Sequence, residues 1–143
     1  MANIVPDSFK TDLLGGVFDF DSSGGSTFRL ALYTDISGFS TSSTAYTTTN
    51  EVSSSGTNYT AGGNTLTNNG VAVASNIAYV DFADLTFSSV TLTAVGALIY
   101  KDTSNEAVLV LDFGGSKTAT NGDFVIQFPT ANSSSAIIRL GDA

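Results

Sequence analysis

Apolar and polar residues alternate along most of the chain, in short stretches that Gly, Asn, Asp and Ser separate. A repeat of two residues is typical of β-strands, whose successive side chains point to opposite faces of a sheet. Residues 27–34 show it most clearly, with Phe28, Leu30 and Leu32 at every second position. The same reasoning predicts about eight or nine short strands, at residues 17–20, 27–34, 66–74, 77–87, 91–100, 107–113, 123–128 and 136–140, with a brief pairing around 47–52.

Turn residues mark the connections between these strands. Ser75 and Asn76 separate two strands and predict a hairpin, and residues 102–105 predict another. Residues 114–122 begin with two glycines and end in Asn-Gly, so we predict a longer loop there. The alternation breaks near Ala83 and Asp84, where a β-bulge would re-aim the side chains. Residues 35–64 are mostly Ser, Thr, Gly and Asn, which indicates long surface loops.

One segment, residues 7–16, has the pattern of a short helix. Asp7 or Ser8 is suited to cap its N-terminus, and Gly15 is suited to leave it in the left-handed conformation. Two turns of helix are not stable alone in water. Because Phe9 and Leu13 are four residues apart and share one side, we expect this helix to dock. The sequence leaves two alternatives for the surface on which it docks, namely the sandwich of the same chain and a neighbouring subunit.

These elements predict an all-β fold, an antiparallel β-sandwich of jelly-roll type with one short N-terminal helix. A chain of 143 residues suits one compact domain with a real core. We divide it into an N-terminal arm with the helix, residues 1–16, and a single sandwich domain, residues 17–143.

The composition argues against most chemistry. The chain has no His and no Cys, which removes the usual zinc ligands and the usual base for a Ser or Thr nucleophile. Its net charge of −8 disfavours binding to nucleic acid or to an anionic membrane. We expect neither a secretory signal nor a membrane-spanning segment. The sequence therefore predicts a protein that is not an enzyme and has no metal, cofactor or catalytic residue.

Two glycine-containing segments resemble ligand-binding loops only in part. Residues 19–24 match the opening of an EF-hand loop, but Leu30 stands where the twelfth position needs a bidentate Glu. Residues 114–118 resemble a phosphate-binding loop, but Ser116 precedes the Lys where that loop has Gly, and a strand follows instead of a helix. We interpret both segments as turns.

Acidic and aromatic side chains offer two further candidates. A pair among Asp81, Asp84 and Asp112 would suit glycoside hydrolysis, although Asp at strand ends more often binds turn amides. Tyr46 and Tyr59 lie in the polar loop region and are candidates for stacking on a sugar.

Several segments resemble a family of small virion structural proteins of tailed bacteriophages. The resemblance covers most of the chain and is carried by residues 9–20, 27–34, 49–52, 59–63, 80–84, 96–100 and 110–115.

The resemblance implies a place on the capsid surface of a virion, after assembly in the host cytoplasm. We expect a head decoration, or cement, protein that clamps subunits of the assembled major capsid protein. It would be a homo-oligomer, with a trimer favoured, and Phe9, Leu13 and Leu14 would bury apolar surface at the interface. The alternative is a tail, fibre or knob component in which Tyr46 and Tyr59 contact host glycans.

Overall fold

The computed structural model describes residues 2–141, and in this range the chain forms one helix and seven strands. The strands make two antiparallel sheets, a large sheet in the order β2-β1-β5-β6 and a small sheet in the order β3-β4-β7. The predicted all-β sandwich is confirmed. The elements are α1 (Asp7–Leu14), β1 (Phe28–Tyr33), β2 (Asn64–Thr65), β3 (Asn68–Ala74), β4 (Ile77–Phe82), β5 (Leu85–Lys101), β6 (Ala107–Ile126) and β7 (Ile138–Leu140).

A long hairpin of β5 and β6 forms one side of the large sheet, with β5 inside the sheet and β6 at its edge. The two strands have 17 and 20 residues and pair along most of their length. The loop predicted at residues 114–122 is therefore wrong, because this segment continues β6. Gly114 and Gly115 adopt positive φ there, and Thr93 and Thr118 share a hydrogen bond of 2.8 Å across the pair. The glycines mark an irregularity in the strand, not its end.

The break in alternation near Ala83 is the point at which the chain changes sheets. Strand β4 pairs with β3 and β7, whereas β5 pairs with β1 and β6. Two hydrogen bonds hold the crossing, from Ala83 N to the Thr67 carbonyl and from Phe128 N to the Asp84 carboxylate. The predicted bulge is thus wrong, because the side chains change direction where the chain passes from one sheet to the other.

The hairpin predicted at Ser75 and Asn76 is confirmed. Both residues have positive φ, 52° and 64°, as a tight hairpin turn requires. The pairing predicted around residues 47–52 is also confirmed, because Val52 N donates to the Leu32 carbonyl and Glu51 bridges Tyr33.

Phenylalanine rings fill the space between the two sheets. Phe20 and Phe28 stack with ring centres 4.6 Å apart, and Phe82 of the small sheet meets Phe28 at 5.8 Å. Residues 17–20 form no strand, contrary to prediction, but their alternation does direct Phe18 and Phe20 into this core.

The outer face of the large sheet is covered by the long loop, which we define as residues 34–63. Ile36 and Phe39 of this loop pack on Tyr33 and Leu98, which point away from the main core. Strand β1 is therefore buried on both faces, although its sequence alternates like that of a half-buried strand.

Helix α1 is anchored differently from the prediction. Pro6 occupies the N-cap position and no side chain caps the helix. Its start is held instead by Asp7 N, which donates to the Thr41 carbonyl, and by Ser8 Oγ, which donates to the Ser43 carbonyl. Gly15 remains right-handed, and the left-handed conformation falls on Gly16, with φ of 81°.

Candidate functional site

An apolar groove of about 610 Å³ lies beside α1. It is lined by the N-terminal arm and α1, by the first residue of β4, by the start of β6, and by β7 with the residues next to it. Apart from Gly141 and two basic residues, the lining residues are all apolar: Val5, Phe9, Leu13, Leu14, Ile77, Val108, Leu109, Ile137, Ile138 and Leu140. We call this feature the apolar groove.

The three residues predicted as an interface have different positions. Phe9 is 3% exposed and packs with ring centres 5.1 Å from Phe18 and 6.2 Å from Phe20, so it belongs to the protein's own core. Leu13 is half-buried against that core, whereas Leu14 is 84% exposed. The helix therefore docks on its own chain through Phe9 and leaves Leu14 exposed at the surface.

The arm keeps its place through strand-like pairing. Ile4 and Val110 exchange two backbone hydrogen bonds of 2.9 Å, and the Asn3 side chain accepts from Asp112 N. Val5, the next residue, is 41% exposed at the rim of the groove. The arm thus fixes one wall of the groove to the edge of the large sheet.

The small sheet contributes a face that is apolar in every strand. Val73, Ala78 and Leu140 lie in one row across β3, β4 and β7, and Val80 and Ile138 lie in the next row. Directly paired residues share a face. Val80 is buried in the core, but Leu140 is 52% and Val73 is 72% exposed. The face therefore extends beyond the core that it covers, and the sequence pattern does not predict this extension.

The charged residues of the groove are both basic. Lys10 forms a salt bridge of 2.8 Å with Asp7, and Arg139 donates to the Ser134 carbonyl. Asp7 offsets part of the positive charge at Lys10, and Arg139 adds a second positive charge to the rim in a chain of net charge −8.

The two tyrosines proposed for sugar binding are part of an internal network around Glu51. The Glu51 carboxylate accepts hydrogen bonds from Tyr46 Oη at 2.6 Å, Tyr59 Oη at 2.8 Å and Gly62 N at 2.6 Å. Tyr59 is 3% exposed, and its hydroxyl also accepts from Leu32 N. Both phenolic hydroxyls therefore donate their protons inside the protein.

Two more tyrosines complete the network. Tyr100 donates to the Gly62 carbonyl at 2.6 Å and stacks on Tyr46 with ring centres 4.6 Å apart. Tyr33 donates to the Thr47 carbonyl at 2.6 Å. Burial is the main cause that raises the pKa of each of these four tyrosines, and the Glu51 charge adds to it. We call this set the Glu51 network, and its role is to fasten the long loop to the large sheet.

The three aspartates considered for catalysis all accept backbone hydrogen bonds. Asp84 accepts from Phe128 N, and Asp112 accepts from Gly114 N, which lowers the Asp112 pKa. Asp81 is 1% exposed and accepts from Phe82 N, and its burial raises its pKa. These contacts match the turn-binding role that aspartates at strand ends commonly have.

The EF-hand-like segment also forms a turn. Asp19 Oδ1 accepts from Asp21 N, and Asp21 Oδ1 accepts from Ser23 N. Within residues 2–141, no group of three or more Asp or Glu side chains is placed to hold a metal ion.

No family model, curated protein or solved structure matches the chain. In the range that the structure covers, none of the helical residues form a segment long and apolar enough to cross a membrane.

Proposed function

We propose that this chain is a non-enzymatic virion structural protein, a capsid decoration protein of a tailed bacteriophage that binds the assembled major capsid lattice. The observation that carries the proposal is the apolar groove with its exposed rim. Leu14, Leu140 and Val5 are 84%, 52% and 41% exposed around one concave surface. A cluster of exposed apolar side chains is typical of a protein–protein contact.

The energetics favour a protein partner for this surface. Complete burial of a Leu or Val side chain contributes about 1.5 to 3 kcal/mol. Burial of the three rim residues against a partner would therefore contribute to the free energy of binding. Lys10 and Arg139 at the same rim suit a partner that is apolar with carboxylates at its edge. The remaining surface is acidic and would repel such a partner.

Binding to the lattice would stabilise the particle by mass action. A protein that binds assembled subunits, and not free ones, shifts the equilibrium towards the assembled state. The function requires a protein that folds into a fixed shape and presents one docking surface. The virion assignment itself comes from the resemblance described above.

The alternative, a tail or fibre component that contacts host glycans, relied on Tyr46 and Tyr59. Both hydroxyls bind Glu51, and the Tyr46 ring stacks on Tyr100. Because Tyr59 is buried and one face of the half-buried Tyr46 ring is covered by Tyr100, we favour decoration over the glycan-binding alternative.

The test is a capsid-binding assay with Leu14→Asp. We expect this variant to fold as the wild type does, because Leu14 is 84% exposed, and to lose binding to capsids. Val125→Asp, at an apolar residue of β6 that is 49% exposed and outside the groove, is the matched control and should bind normally. Phe9→Ala should instead lower the free energy of unfolding by about 3 to 5 kcal/mol, because it empties a core position.

Wild-type binding by Leu14→Asp would contradict the groove as the docking surface. The copy number in purified virions, measured by quantitative mass spectrometry against the major capsid protein, tests the wider assignment. A simple lattice fraction supports decoration, and a handful of copies or none contradicts it.

A further inference from the structure

Strand β3 is an outer strand of the small sheet, and beyond the register shift between Asn68 and Val71 it lacks the usual protection of an edge within residues 2–141. Its seven residues, Asn68–Ala74, include no charged residue and no Pro. Natural sheets generally place such residues on exposed edges, because an unprotected edge pairs with other strands. Val71 and Val73 are also 62% and 72% exposed, so among the residues that the structure describes this edge is both unpaired and apolar.

The hairpin geometry identifies which backbone groups are available. Ala74 and Ile77 close the two-residue turn, so they form a hydrogen-bonded pair, and Ala72 with Tyr79 forms the next one. By the same alternation, the N–H and C=O groups of Val71 and Val73 point away from β4. The start of the strand is covered, since Asn68 Nδ2 donates to the Phe20 carbonyl and Ser22 lies against Gly70. The free edge is therefore residues 71–74.

The distribution of charge indicates what occupies this edge. The chain has a net charge of −8, so two copies repel each other over most of their surfaces. Between Glu51 and Asp81, however, no residue is charged, and this is the longest uncharged stretch of the sequence. All of β3 and residues 77–80 of β4 lie inside it, and the charged Asp81 of β4 is 1% exposed. The hairpin therefore adds no exposed charge of its own to the repulsion between two copies.

We propose that a second copy of this chain pairs with β3 in the antiparallel sense, about a two-fold axis at Ala72. Val71 of each copy then exchanges two backbone hydrogen bonds with Val73 of the other, four in total. The two small sheets become one sheet of six strands, and the exposed valines of both copies lie side by side. Ala72 meets its own equivalent at the axis, where its small side chain permits close approach.

This association does not depend on a capsid partner, and it uses a strand that does not line the apolar groove. It is two-fold and gives a dimer, whereas the resemblance to virion proteins favours a trimer. The edge is short, so we expect association to depend on concentration. Sedimentation equilibrium from about 1 μM to about 1 mM spans the affinities of a small interface.

The expected mass at high concentration is twice the 14.7 kDa of the chain. Val73→Lys should weaken association at least about tenfold, since it places a charge on the edge. Val125→Lys makes the same change in charge at an exposed valine of the other sheet and should associate like the wild type. The proposal would be overturned if the wild type remained monomeric or formed a trimer. It would also be overturned if the two variants associated equally.

Amide hydrogen exchange gives a second measurement that needs no substitution. The amides of Val71 and Val73 should exchange more slowly as protein concentration rises, whereas the Ala72 amide already binds β4. Exchange at Val71 and Val73 that is independent of concentration would overturn the pairing. Leu14→Asp should leave self-association unchanged. If this variant no longer associated, the contact would lie at the apolar groove, and pairing through the β3 edge would be refuted.

Discussion

The Glu51 network allows a quantitative test of what holds the long loop in place. In Glu51→Ala the hydroxyls of Tyr46 and Tyr59 and the amide of Gly62 all lose their acceptor. A hydrogen bond to a charged group contributes about 1.5 to 3 kcal/mol. Tyr59 and Gly62 are buried and cannot recover this energy from water, while half-buried Tyr46 recovers part of it. We therefore expect the free energy of unfolding to fall by about 3 to 5 kcal/mol.

Urea unfolding followed by circular dichroism measures this loss. Glu51→Gln keeps an acceptor oxygen and should cost less, about 1 to 2 kcal/mol. Asp35→Ala removes an exposed carboxylate of the same loop that binds one amide, Ser37 N, and should cost under about 1 kcal/mol. A Glu51→Ala variant no less stable than Asp35→Ala would refute the reasoning. So would the absence of coupling between Glu51→Gln and Tyr59→Phe in a double-mutant cycle.

Two further predictions concern the same region. Gly63→Ala would place a Cβ 1.7 Å from the Leu30 carbonyl oxygen at φ of 74°, so we expect a loss of more than about 3 kcal/mol in urea unfolding; Gly38→Ala meets no atom within 4 Å and should be tolerated. Burial keeps the pKa of Tyr33 and Tyr59 above the ordinary value of 10.0. At alkaline pH the folded state therefore holds more protons than the unfolded state, and the free energy of unfolding falls as pH rises past 10.0. Tyrosinate absorbance from these two should appear together with unfolding, and its gradual appearance in the folded protein would contradict this.

Sequence alone predicts the sandwich because alternation is a local property of each strand. It does not predict whether an alternating segment pairs in a sheet, or whether one or both of its faces are buried. Residues 17–20 alternate as strands do, yet they deliver Phe18 and Phe20 to the core without pairing. Strand β1 reads as half-buried, yet it is buried on both faces because Ile36 and Phe39 fold back over it. Such coverage depends on contacts between segments that the pattern of either segment does not reveal.

The same limit applies to the surface that we propose for capsid binding. The helix pattern identified Leu13 and Leu14 as apolar, but Phe9 shares their pattern and belongs to the core. Leu140 faces the same groove from the other end of the chain, which no local pattern indicates. One signal for the Glu51 network was present, since Glu51 is the only charged residue in 36–80. A single carboxylate in a long neutral segment suggests a buried polar role.

The pairing of Ile4 with Val110 has a consequence for the order in which the molecule is completed. The two residues are joined by backbone hydrogen bonds although most of the chain lies between them. A ribosome adds about 5 to 20 residues per second, so the arm waits for several seconds before its partner strand exists. During that time Phe9 lacks part of the core against which it packs in the folded protein. The groove that α1 and the arm help to build therefore forms only after β6 and β7 have been synthesised, so a nascent chain lacks the surface that we propose for capsid binding.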